Sequence, residues 1–131
     1  MTATTFDDLL GKPWDLLNCG DVVSIGLQRL GRENPTPEHV IESATRAVGL
    51  HARPDELHAF IDSHLELVEL GHEERGDIVF VKRGPGAEVN HVGLVLERGL
   101  MLHSTRQRGV RKDRIASYAD RIDCIGRTRA C

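Results

Sequence analysis

No run in this sequence reaches the roughly 18 consecutive apolar residues that a membrane-spanning helix requires. The stretch from Met1 to Leu10 is polar and acidic. It lacks the basic segment and following apolar segment of a secretory signal, so the chain is expected to be cytoplasmic on synthesis and not to export itself by that route. Neither sign of charge dominates: 17 Lys and Arg stand against 20 Asp and Glu, a formal net charge of -3. That balance gives no reason to expect a nucleic-acid partner. The basic run from Arg106 to Arg114 is interrupted by Asp113, with Asp120 close behind, and reads as a solvated edge. Cysteine is sparse and odd in number, three in all, which excludes a disulfide framework. Cys124 alternates with apolar neighbours as a small core residue would, and Cys131 closes the chain; a bridge between the two is a minor alternative. Internal repeats, low-complexity tracts and linkers are also missing.

What remains is an ordinary globular composition, 40% hydrophobic and 28% charged over 131 residues. That length suits one domain, residues 1–131, with a sizeable core. Residues 1–17 form a lead-in in which Phe6, Leu9 and Leu10 suggest a short helical turn docked on the body. Gly11-Lys12-Pro13 breaks it before Trp14, the only tryptophan, which suits either a core anchor or the wall of a substrate groove.

The first clear helix opens at Asn18. Asn is a favoured N-cap, and Asp21 at the third helical position makes a near capping box. Val22, Val23, Gly26, Leu27 and Leu30 recur at helical spacing until Gly31. Cys19 therefore falls at the first helical position, on the buried face, where the helix dipole and the amide N–H groups favour a thiolate. Two further helices are expected, from Thr36-Pro37-Glu38 to Gly49 and from Pro54-Asp55-Glu56 through His64, within a helical insertion over 32–75. His39, His51, His58, His64 and His72 lie in this region without metal-ligand spacing and read as surface or packed residues.

From Gly76 the period changes to that of strands, over 76–128: residues 77–82, 91–96, 100–104, 109–111 and 121–128, with a turn near Tyr118. Helices first and an antiparallel meander after them make an α+β domain with about five strands. Strand parity then bears on His91 and His103. A two-residue loop at Arg98-Gly99 would pair Leu94 with His103 and send the two rings to opposite faces. A three-residue loop, with Gly99 left-handed, would put Gly93 opposite His103 and make His91 its diagonal neighbour on the same face. Diagonal positions are about 7–8 Å apart at the backbone, within reach of two imidazoles. With a helix-mouth cysteine in the same domain, the same-face arrangement is the one expected.

Taken together, Asn18-Cys19-Gly20-Asp21-Val22-Val23, Gly76-Asp77-Ile78-Val79-Phe80, His91-Val92-Gly93-Leu94-Val95 and Met101-Leu102-His103-Ser104 resemble the NlpC/P60 cysteine peptidases, in order and in the 12-residue step between the histidines. The resemblance covers roughly residues 11–128 and looks most like the small members among phage tail-assembly proteins. It implies a papain-like fold and a hydrolase of amide bonds in peptidoglycan stem peptides, of the γ-D-glutamyl-diamino acid type. It departs from the family's usual residues around the cysteine, where Asn18 and Gly20-Asp21 stand, and no tyrosine precedes Tyr118; these departures bear on substrate choice more than on the nucleophile.

The implied site is Cys19 as nucleophile, His91 as proton carrier and His103 as its orienting partner, with Trp14, Asn18, Gly20 and Ser104 as candidate substrate contacts and no metal or cofactor. Three alternatives stay open: a zinc site built from the same cysteine and histidines, a non-catalytic binding or assembly module of a phage tail or virion, and an intracellular amidase. A wall-cutting role also implies a carrier, such as a virion, lysis or a secretion machine.

Overall fold

A computed structural model describes residues 5–32, 65–82 and 89–128. The two helices expected between Thr36 and His64, the turn at Gly84-Pro85-Gly86 and Cys131 lie outside the described residues.

Asn18 starts helix α1, Cys19–Arg29, with a complete capping box: its side chain accepts from the Asp21 N–H, and the Asp21 carboxylate accepts from the Asn18 N–H. Leu30 is the C-cap, and Gly31 follows at φ +66°, in the left-handed region that ends so many helices. In the lead-in, residues Asp7–Leu9 form one 3₁₀ turn that buries Phe6 and Leu9. Leu10, expected to dock with them, is 39% exposed. The turn ends after Leu9, and Gly11 N–H is already donating to Val110 C=O at 2.9 Å, so the chain has left the core.

Among the described residues the sheet has six strands: β1 (Glu66–Val68), β2 (Ile78–Lys82), β3 (Val89–Glu97), β4 (Leu100–Thr105), β5 (Gly109–Arg114) and β6 (Ile122–Arg127). Their order is β1-β6-β2-β3-β4-β5, with every neighbouring pair antiparallel. A 3₁₀ helix, Ile115–Arg121, links β5 to β6. The sheet is one strand larger than expected. The extra one, β1, falls inside the stretch assigned to a helical insertion, and its short exposed Glu66-Leu67 carries no alternation to read.

Each face of the sheet has its own core. Ile78, Phe80, Val92, Leu94, Leu102 and Val110 pack with Cys19, Val22, Val23 and Leu27 of α1. Val79, Val81, Val95, Met101 and Ile125 form the reverse surface, covered by Ile115, Tyr118 and Ile122. Alternation along the strands decides which residue joins which core. Gly26 lets α1 lie close on β3: a methyl group there would run into the Leu94 side chain.

Candidate active site

The hairpin between β3 and β4 settles where the two histidines point. Glu97 pairs with Leu100 around Arg98-Gly99, Gly99 takes φ +85°, and a bulge between Val95 and Glu97 shifts the register so that Leu94 faces Leu102. Gly93 consequently sits across from His103, and a Cβ at Gly93 would lie 3.5 Å from that of His103 and 2.9 Å from Met101 Sδ. His91 and His103 share the reverse surface, with His91 Nε2 2.7 Å from His103 Nδ1 and the rings edge-to-face at 4.9 Å.

The pair extends further than the sequence suggested. On the far side of His103, Nε2 lies 2.7 Å from Asp113 Oδ2. Asp113 comes from β5, where Met101 faces Asp113 and His103 faces Arg111. Arg111 Nε stands 2.9 Å from the same carboxylate oxygen, near enough for charge attraction though not aligned as a hydrogen bond. Tyr118 Oη donates to that oxygen at 3.4 Å, and its ring packs edge-on against His103 at 5.5 Å. Asp113 and Arg111 were missed because 106–114 read as a solvated basic run, and Tyr118 because its stretch read as a turn. Both sides of β5 carry charge, Lys112 and Arg114 on one and Arg111 and Asp113 on the other, so alternation did not single them out.

Electrostatics follow burial. His103 is fully buried, and desolvation holds its imidazole below the ordinary histidine range in spite of the opposing pull of Asp113. His91, half-buried, is pushed down to about 3, first by burial and then by the neighbouring His103 and Arg121. Both rings are thus neutral at ordinary pH. The Asp113 carboxyl, which burial alone would raise, is held low by the bond and charge of His103 and by Arg111.

Cys19 departs from the expectation of a thiolate. It is wholly buried, and burial pushes its thiol up to about 11. The N–H groups of Val92, Gly20 and Cys19 itself oppose that rise, but desolvation outweighs them. The resting group is therefore a neutral thiol. Val92 is one residue along β3 from His91, so the sulfur sits at that end of the strand on the α1 side of the sheet. The structure thus brings His91, His103 and Asp113 into one chain of contacts and sets Cys19 beside the next residue of the same strand.

The other candidates have structural duties. Ser104 is fully buried, and its hydroxyl donates to the Leu17 C=O at 2.5 Å, tying β4 to the approach to α1. Asn18 is the cap of α1, and Gly20 is buried in its first turn. Trp14 is half-buried against the α1-side core, with the Arg106 guanidinium 5.9 Å from its ring centroid. Cys124 is also half-buried against that core. Among the described residues, no three His, Cys, Asp or Glu side chains cluster as a metal site would require, so the zinc alternative is not favoured.

A cysteine at the head of a helix, laid on an antiparallel sheet that carries a histidine pair, defines the α+β, papain-like class expected from the sequence. Comparison with known proteins narrows it. The NlpC/P60 family model matches residues 47–127, a span that holds both histidines and Asp113 and begins after α1. The chain belongs to the NlpC/P60 family, whose members are in general cell-wall peptidases or hydrolases.

Among solved structures, an NlpC/P60 family protein from Bacillus cereus ATCC 10987 is similar at 17% identity and a TM-score of 0.57, over 85% of this chain and 31% of that one. A Staphylococcus aureus Mu50 protein described as similar to a lipoprotein of the NLP/P60 family aligns at 15% identity and a TM-score of 0.46, over 86% of this chain and 42% of that one. The chain spans less than half the length of either. No curated protein matches it. The phage tail-assembly subtype expected from the sequence finds no support in these matches.

Proposed function

We propose that this protein is a thiol hydrolase that cuts amide bonds in peptidoglycan stem peptides, of the γ-D-glutamyl-diamino acid type. The observation that carries the reading is the 2.7 Å contact between His91 Nε2 and His103 Nδ1, on the strand whose next residue, Val92, abuts the Cys19 sulfur. Membership of a family of cell-wall hydrolases supplies the substrate class.

In this mechanism the Cys19 thiol gives its proton to His91 as sulfur attacks the scissile carbonyl. The receiving nitrogen is Nδ1, the one His103 does not engage. Because the resting thiol is neutral, proton transfer accompanies attack and no thiolate waits in advance. Attack also requires that the residues covering Cys19 part and that the sulfur and Nδ1 meet at the start of β3. The Cys19 backbone N–H, at the positive end of α1, is the first donor to the oxyanion. His91 then hands its proton to the leaving amine, a transfer that its depressed basicity favours, and water releases the acyl group from sulfur.

The test is incubation of purified protein with muropeptides, with products identified by mass spectrometry, beside Cys19→Ala. Cleavage by the unaltered protein alone supports the proposal. Equal cleavage by both removes the cysteine from the mechanism, and cleavage by neither leaves a binding or assembly module in a virion or secretion machine as the better account.

A further inference from the structure

We propose that Asp113, acting through His103, fixes which nitrogen of His91 carries the proton, and is thereby a positioning residue for the hydrolysis described above, on which its catalytic consequence rests. The argument is one of donors and acceptors. An ionised carboxylate can only accept, so the 2.7 Å contact between Asp113 Oδ2 and His103 Nε2 requires that Nε2 bear the hydrogen. A neutral imidazole has one N–H; with Nε2 protonated, Nδ1 of His103 is an acceptor. The 2.7 Å contact from His91 Nε2 to that nitrogen then makes His91 Nε2 the donor. The hydrogen of His91 is consumed there, and its Nδ1 is left as a bare lone pair. A base needs that lone pair, and the carboxylate that dictates it stands two hydrogen bonds away.

The surroundings of Asp113 hold this direction in place. His103 Nε2, Arg111 Nε and Tyr118 Oη all approach the same oxygen, Oδ2, at 2.7, 2.9 and 3.4 Å. Two donors and a guanidinium charge converging on one atom favour the ionised, accepting carboxylate there. The Tyr118 ring, at 84° to His103, keeps the imidazole from turning over.

The decisive measurement is nitrogen-15 NMR of the histidine rings, which distinguishes Nδ1–H from Nε2–H. In the unaltered protein at about pH 7.5, above the ordinary histidine pKa of roughly 6.5, His91 and His103 should both be Nε2–H. Asp113→Ala removes the acceptor and should bring Nδ1–H forms into both rings. Its kcat on muropeptides should fall by roughly tenfold to a hundredfold with KM little changed, as for an interaction made in the transition state. Asp113→Asn should keep a carbonyl oxygen toward His103 and Tyr118, and with it the original ring state and most of kcat.

An Nδ1–H ring at His91 in the unaltered protein overturns the proposal without any variant, so poor folding of Asp113→Ala does not protect it. So does a His91 ring that stays Nε2–H in Asp113→Ala, or one that changes while kcat does not. If the unaltered protein cuts no muropeptide, the hydrolase reading fails by itself, and the ring spectra still decide whether Asp113 governs His91.

Discussion

Burial of the histidine pair makes a quantitative demand on the acid stability of the fold. In the unfolded chain His91 titrates near the ordinary 6.5, whereas in the folded protein burial and the neighbouring His103 and Arg121 bring it down to about 3. The unfolded state therefore takes up this proton first. Stability from the ring is complete above about 6.5 and drains away as the pH falls toward about 3, with a slope of up to about 1.4 kcal/mol per pH unit. At about pH 5 the loss from His91 alone reaches about 2 kcal/mol as an upper figure, which solvent at its half-buried edge reduces. His103 and Asp113, both depressed, act with the same sign. The perturbation is His91→Gln, which removes one titrating group and retains hydrogen-bonding capacity. Urea unfolding at several pH values from about 5 to 8 would be compared for the two proteins, all other titrating groups being common to both. The expected result is a shallower fall in unfolding free energy for His91→Gln below about pH 6.5. An unchanged slope would refute the claim that this ring is buried and neutral.

Two other substitutions probe the scaffold. Gly26→Val should destabilise by about 1–3 kcal/mol in urea unfolding, because the new side chain collides with Leu94 where α1 lies on β3. Ser104→Ala should cost about 1–3 kcal/mol by leaving the Leu17 carbonyl unpaired in a buried setting, and the muropeptide KM should stay put, since the hydroxyl is engaged with backbone.

How far the sequence could be read depended on whether a signal was local. The head of α1 was legible because a cap, an acidic third position and an apolar stripe all lie within a dozen residues. The shared face of His91 and His103 was expected from a three-residue loop, but the loop is the two-residue Arg98-Gly99, whose parity alone would part the rings. The bulge between Val95 and Glu97, which no local signal announced, brings them back together. Asp113 was hidden, because β5 ends at the edge of the sheet and its Lys112 and Arg114 are exposed, so inward and outward positions are both charged. The protonation of Cys19 was misjudged for another reason. The helix dipole can be inferred from one segment, but the burial that overrides it is assembled from distant strands. The strand Glu66–Val68 carries too few residues to announce a period.

The lead-in is tied by backbone to the strands that carry the histidine chain. Gly11 donates to Val110, Val110 donates to Lys12, and Ser104 holds Leu17, so the segment entering α1 is laced to the β4–β5 hairpin that bears His103 and Asp113. Gly109 permits the lacing, since a methyl group there would strike the Lys12 carbonyl. The backbone that delivers Cys19 to the head of α1 and the strands that hold His103 and Asp113 are therefore braced as one unit.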